Sequence, residues 1–354
     1  MIPGTVWQPK GPSPIQDGGL RSNGMVTSIA VHPSNSGIVF IGTADGGVWK
    51  TGDGGATWQA LFDEQLSLAI GEPNCIAIDP GDSDVLYVGT SARGRVAIQR
   101  QVGVFKSLDG GASWILLGSR YPEGNDGNAD RFANDLVNTI IVDPSNSARV
   151  YAASSSGVWV STDAGQNWVR GTNSVGDARS LVLDPTSPNN ARILYAGLSG
   201  QGVIQSTDGG ATWAPIMTAA TPSVAAALGA VPGTALGQVV LDLAPPTAQP
   251  AADGIQVIYA AIAPAGGAPA GAPDPVGLFL STDQGATTWA QQAANGGPST
   301  TFNGYCMVVA VDPASPGDGA NDIVYWGTQS QARSADSGAN FTNVSAQLHA
   351  DTHA

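Results

Sequence analysis

The sequence predicts an all-β fold built from one small antiparallel unit written six times. Three observations carry this reading: a recurring turn motif, the short apolar runs that precede each copy of it, and a composition with almost no helix signals. The motif reads Ser/Thr-x-Asp-x-Gly-x-Thr/Ser/Asn-aromatic and occupies residues 51–58, 107–114, 161–168, 206–213, 281–289 and 334–341. The fifth copy carries one extra residue, and the sixth ends in Phe341 rather than tryptophan.

Each unit can be followed strand by strand. A first apolar strand closing on Asp-Pro or a near relative recurs at 29–33, 76–80, 140–144, 181–185, 240–245 and 309–313. A second follows at 38–42, 85–89, 150–153, 193–197, 257–260 and 323–327. A third, such as 47–50 or 157–160, leads into the box, and the box aromatic opens a fourth, as in 58–61. Four short antiparallel strands per unit make a propeller blade. The blades are expected at about 25–62, 73–117, 137–170, 179–216, 238–291 and 305–344, within one β-propeller domain spanning 1–354. Residues 4–9 read as a fourth strand with no box before it, and 349–354 as a first strand. We therefore expect a seven-bladed propeller whose last blade is incomplete, with six-bladed closure as the alternative. An open seam would expose a sheet edge, and such edges recruit other chains.

The box itself explains its repetition. Its carboxylate accepts bonds from the Ser/Thr hydroxyl and from N–H groups of its own turn, while glycine supplies the positive φ of a tight hairpin. Asp53, Asp109, Asp163, Asp208, Asp283 and Asp336 are accordingly read as structural, since six equivalent acids on separate hairpins make no single catalytic site. The motif resembles the Asp-box, or BNR repeat, and that resemblance implies a β-propeller. The segment 39–50 followed by a box is similar to xyloglucanases of glycoside hydrolase family 74, with looser similarity to sortilin-type receptors and photosystem II assembly factors. The hydrolase resemblance implies a catalytic aspartate near the Asp45-Gly46-Gly47 turn, so Asp45 is its counterpart, and a second carboxylate such as Asp135 would complete the pair. In those hydrolases the two carboxylates face each other across a cleft between two propellers. Sialidases resemble the chain less, because it has no Arg-Ile-Pro segment.

Composition narrows the partners. With 354 residues, 42% hydrophobic and 12% charged, the chain can bury a large core, and 47 Gly with 24 Pro suit many turns. A net charge of −14 argues against nucleic acid and anionic membranes. No apolar run reaches the roughly 20 residues of a membrane span, and no basic, apolar leader opens the sequence. Asp-box proteins are mostly exported, so a secreted, periplasmic or cell-surface location is expected. Cys75 and Cys306 fall on first strands of blades two and six and read as free and buried. The low-complexity stretches 218–237 and 263–275 read as exposed loops unable to pack a core.

Insertions point to the functional face. With strands lettered a to d from the axis outward, the b–c and d–a loops share one face, and the long segments 11–24, 91–101, 118–136 and 293–304 all belong to it. Its candidate ligand-binding residues are Arg93, Arg120, Tyr121, Glu123, Arg131, Phe132 and Asp135. Aromatic rings cover the C–H faces of sugars while carboxylates and amides bond their hydroxyls, and a protein partner uses the same residues. Asp126, Asn128 and Asp130 have the opening spacing of a calcium loop. His349, Asp351 and His353 would share one strand face, as a transition metal or proton relay requires. The expected function is an exported glycan- or protein-binding module, with xyloglucanase-like hydrolysis as the alternative.

Overall fold

The computed structural model describes residues 15–17, 20–22, 26–65, 67–71, 74–91, 103–117, 135–228, 236–246, 256–264, 277–286, 288–292, 307–327 and 331–344. Two compact units divide the chain: Met1–Ser155 with Trp159–Arg170, and Ser156–Val158 with Gly171–Ala354. A short hairpin, β1 (Ile15–Asp17) and β2 (Leu20–Ser22), precedes the first blade.

Six four-stranded antiparallel meanders follow, each hydrogen-bonded in chain order. Blade one is β3 (Val26–Val31), β4 (Val39–Thr43), β5 (Val48–Thr51) and β6 (Gln59–Ala60). Blade two is β7 (Ile76–Asp79), β8 (Asp82–Gly89), β9 (Val104–Ser107) and β10 (Ile115–Leu117). Blade three is β11 (Val137–Val142), β12 (Val150–Ser154), β13 (Gly157–Ser161) and β14 (Val169–Arg170). Blade four is β15 (Ala178–Leu183), β16 (Leu194–Leu198), β17 (Gly202–Ser206) and β18 (Ala214–Met217). Blade five is β19 (Leu236–Leu243), β20 (Ile258–Pro264), β21 (Gly277–Ser281) and β22 (Ala290–Gln291). Blade six is β23 (Val308–Val311), β24 (Val324–Gly327), β25 (Gln331–Ser334) and β26 (Thr342–Asn343). The chain is thus an all-β propeller, and the six complete blades among the described residues match the six-bladed alternative. Residues 4–9 and 349–354 lie outside the described residues.

The a–b links show why Asp-Pro recurs. Asp143 Oδ1 accepts from the Ser145 amide at 2.9 Å and hydroxyl at 2.8 Å. Asp184 repeats this with Thr186, and Asp312 accepts from the Ala314 amide. The side chain closes the turn that the following proline begins.

The boxes are equally regular. In the third, Ser161 Oγ donates to Asp163 Oδ1 at 2.8 Å and accepts from the Gly165 amide at 2.8 Å. Asn167 adds its amide to Oδ1 and its side-chain nitrogen to Oδ2. These donors favour the ionised form: the Thr57 hydroxyl leads in holding Asp53 at about 2, and the Ser113 hydroxyl does the same for Asp109. The box glycine then sits against the preceding blade. A Cβ on Gly111 would lie 2.6 Å from Leu61, on Gly165 2.5 Å from Leu117, and on Gly285 2.4 Å from Ile216. Trp114 and Trp289 donate their indole N–H across the same seams, to the Leu61 and Ile216 carbonyls.

Inner strands are sheet edges whose outward N–H groups need partners. The Ile76 amide donates to Ser28 Oγ of blade one, and the Leu241 amide to Ser180 Oγ of blade four. Large aromatics fill the space between sheets, with Phe40, Tyr87, Tyr151, Tyr195 and Tyr259 all fully buried. Burial pushes the Tyr195 phenol up to about 12.

One expectation fails. The sequence leads one to expect exposed loop over 218–237, yet this stretch contains α1 (Pro222–Ala227), and Val224, Leu228 and Leu236 enter the core between blades four and five. Proline at the helix start presets φ, alanines cost little entropy, and Val224 and Leu228 share a face four residues apart. Cys75 is buried, its thiol donating to the Val137 carbonyl, while Cys306 lies outside the described residues.

Candidate functional site

Two of the sequence-predicted carboxylates are described, both on the b–c and d–a side of the first compact unit. Asp45 stands at the tip of the β4–β5 turn of blade one, with its side chain exposed. The turn beneath it is tightly held. Thr43 Oγ1 donates to the Gly47 carbonyl at 3.1 Å and accepts from the Gly46 amide at 3.0 Å, while Trp49 Nε1 donates to the Gly46 carbonyl at 2.9 Å. The Gly47 amide reaches the Leu68 carbonyl at 2.9 Å. Gly47 has φ +69°, and a Cβ there would lie 2.8 Å from Phe62. Only glycine accepts both the conformation and the contact. The Asp45-Gly46-Gly47 sequence therefore presents one carboxylate on a braced turn beside half-buried Trp49.

Asp135 enters blade three just before β11 and is half-buried. Ser154 Oγ, at the end of β12, donates to Asp135 Oδ2 at 2.7 Å, and Trp159 Nε1 donates to Ser154 Oγ at 3.1 Å. The hydroxyl both accepts and donates, so indole, serine and carboxylate form a directional chain. Arg170 lies over the Trp159 ring at 5.7 Å. Thr43, Thr90 and Ser154 hold the same place at the end of the second strand in blades one to three. All three are buried, and each bonds groups around the b–c turn or the blade entry.

The inner strands carry a further feature on this side. Register shifts after Val26 in β3, Val137 in β11, Ala178 in β15 and Leu236 in β19 mark β-bulges at the strand start. Bulges re-aim side chains and gather near binding sites. In blade four the bulged Arg179 donates from Nε to Asp177 Oδ2 at 3.0 Å.

Sequence reasoning missed Asp242. It is the penultimate residue of the inner strand β19, where the other blades carry Ala30, Ala77, Ile141, Val182 and Ala310. Its Oδ2 accepts from the Val311 amide of blade six at 2.7 Å, and its Oδ1 from the Leu243 amide at 2.9 Å. Burial pushes the carboxyl up to about 6, against the pull of those two donors. The signal was present in the sequence, an acid inside an otherwise apolar inner strand.

Arg93, Arg120, Tyr121, Glu123, Arg131 and Phe132 lie outside the described residues, as do Asp126, Asn128 and Asp130 and His349, Asp351 and His353. Among the described residues no group of three His, Cys, Asp or Glu side chains gathers as a metal site. No helix among them is long and apolar enough to cross a membrane.

With this geometry in view, comparison with known proteins adds lineage. The chain is 24% identical over 223 residues to a xyloglucanase of Paenibacillus, covering 54% of this chain and 21% of that protein. It is 27% identical over 176 residues to a xyloglucanase of Hypocrea jecorina, covering 47% and 20%. The chain thus spans about a fifth of the length of the curated relatives it matches. Among solved structures, the GH74 enzyme of Niastella koreensis superposes with a TM-score of 0.59 at 22% identity, covering 90% of this chain and 45% of that one. YCF48 from Cyanidioschyzon merolae superposes at 0.51 with 15% identity, covering 90% and 84%. A YCF48 bound to D1 peptide gives 0.52 at 13%, covering 91% and 82%. No family model matches the sequence. The sequence resemblance to family 74 propellers is therefore met again in the fold.

Proposed function

We propose that the chain is an exported glycan-binding propeller that holds β-glucan chains of the xyloglucan type on its b–c and d–a face. The observation that carries this reading is the braced Asp45 turn beside Trp49, in a chain whose sequence relatives are xyloglucanases. An indole covers the C–H face of a sugar, and an exposed carboxylate on a braced turn accepts from its hydroxyls. The insertion-bearing loops, with Arg93, Arg120, Tyr121, Glu123, Arg131 and Phe132, would extend that surface.

Hydrolysis is the finer alternative. It requires a protonated acid and an ionised partner on either side of the scissile bond. Asp45 and Asp135 are the candidates, on blades one and three. A second reading, recognition of a peptide, is favoured by extent: the chain covers 84% and 82% of the two YCF48 chains but 45% of the Niastella enzyme. A glycan array run beside a reducing-sugar assay separates these. Retention without turnover supports the binding module; turnover lost in Asp45→Asn and in Asp135→Asn supports the hydrolase. Silence in both, with a peptide partner captured and released by Tyr121→Ala/Phe132→Ala, supports the peptide reading.

A further inference from the structure

The link from blade one to blade two ends in a buried segment. Ser67, Ala69, Ile70 and Gly71 are buried, and a buried connection has to find partners for the backbone N–H and C=O groups it carries. Residues 67–71 find them on alternate sides, as an extended chain does. On one side the Leu68 carbonyl accepts from the Gly47 amide at 2.9 Å, and the Ile70 amide donates to the Thr43 carbonyl at 3.1 Å. Those two partners frame the β4–β5 turn that carries Asp45. On the other side the Ala69 carbonyl accepts from the Ser91 amide at 3.0 Å, and the Gly71 amide donates to the Gly89 carbonyl at 3.1 Å. Ile70 and Thr90 thereby form an antiparallel bridge at the end of β8.

The same ladder continues to Asp135. The Thr90 carbonyl accepts from the Val137 amide at 3.1 Å, where β11 begins. Leu136 is then tied twice to Ser155: its carbonyl accepts from the Ser155 amide at 3.0 Å, and its amide donates to Ser155 Oγ at 3.2 Å. Asp135, the next residue, accepts from Ser154 Oγ. Thr90 also bonds Gly103 through its amide and its hydroxyl, so both ends of the long β8–β9 connection rest on this ladder. Close approach makes the composition specific. A Cβ on Gly71 would fall on the Val137 carbonyl oxygen and the Cys75 Sγ, and one on Gly42 would fall on the Ile70 side chain.

We propose that residues 67–71 are a positioning strap, with Gly71 at its crossing point, that holds Asp45 and Asp135 at a fixed spacing as two parts of one binding surface. The inference rests on the binding face proposed above and adds the residues behind that face which control it. Polar groups bind a ligand more tightly when bonds behind them already hold them near the bound geometry. Leu68 is half-buried and the other four strap residues are buried, so the strap acts through the groups it holds. Blades one, two and three are thus joined by backbone bonds along the side that presents the two carboxylates.

Amide hydrogen exchange, followed by NMR on the whole chain, tests the strap without any ligand. Gly71→Ala should speed exchange at Gly47 of blade one and at Ser155 of blade three together, each by about tenfold or more, while the box amides of Gly111 and Gly165 keep the parent rates. Calorimetric titration with a xyloglucan oligosaccharide then reads the positioning itself. Gly71→Ala should weaken binding by about tenfold, and the further loss caused by Asp45→Ala should be smaller in that background than in the parent. Faster exchange at only one of Gly47 and Ser155, or unchanged affinity in Gly71→Ala, overturns the proposal. A parent that binds no oligosaccharide refutes the glycan reading instead, and the exchange result then decides the strap alone. If Gly71→Ala loses native circular dichroism, Ile70→Val, which trims the side chain packed on Gly42, replaces it and is read by the same criteria.

Discussion

Removing the buried charge at Asp242 should change how stability depends on pH. Its carboxyl is raised from the ordinary 3.8 to about 6, chiefly by burial. A carboxyl harder to ionise in the folded protein than in the unfolded chain binds its proton more tightly when folded. Its contribution to stability is complete below about pH 4, falls as pH rises toward 6, and stays lost above. Two units at about 1.4 kcal/mol each make the loss about 3 kcal/mol, as an upper figure. Asn at this position keeps one carbonyl acceptor for the Val311 or Leu243 amide and forfeits the other bond, at a cost of about 1 kcal/mol. Asp242→Asn should therefore be about 2 kcal/mol more stable than the parent at pH 7.5 and lose most of the decline between pH 4 and 6. Chemical denaturation at fixed temperature across that window measures both. A variant whose stability falls in parallel with the parent would refute the reasoning, as would one less stable than the parent at pH 7.5.

The box aspartates titrate with the opposite sign. Their hydrogen bonds lower Asp53 and Asp109 to about 2, so the stability they supply is present above about pH 4 and lost as pH falls toward 2, separable from the Asp242 window. Asp163→Ala removes three acceptor bonds and should cost about 1–3 kcal/mol in denaturation while leaving glycan retention intact. Gly165→Ala places a Cβ at φ +89° and against Leu117 and Tyr87, so its melting temperature should fall more than that of Gly54→Ala, where the space is open. Ser154→Ala breaks the link between Trp159 and Asp135 and should cost about 1–3 kcal/mol, with a change in tryptophan fluorescence reporting the indole.

Much of the fold could be read from residue pattern because the blade is a local object. Its strands alternate apolar positions, its a–b turns are closed by aspartates such as Asp143 and Asp184, and its c–d turns are closed by the box. Each signal acts within a few residues, so each is visible in a short window. What escaped depends on contacts between distant segments. Val224 and Leu228 look like part of an alanine-rich loop until the apolar cluster of blades four and five, with Met217, Leu236, Phe279 and Trp289, is assembled around them. Asp242 looks like a misplaced acid until the Val311 amide, 69 residues away, is found beside it. For the site, Asp45 could be singled out from its glycine pair, whereas the Ser154 and Trp159 support of Asp135 appears only once β12 and β13 are paired. Most of the residues nominated for ligand binding lie outside the described residues.

The most direct test of the account is titration calorimetry of the folded chain with a xyloglucan oligosaccharide, run for the parent and for Asp45→Ala. The account predicts saturable binding to the parent with one site per chain, weakened by about tenfold in the variant, consistent with the loss of a charged hydrogen-bond acceptor. Absence of binding to a parent that melts cooperatively, or equal affinity in the two proteins, would contradict it.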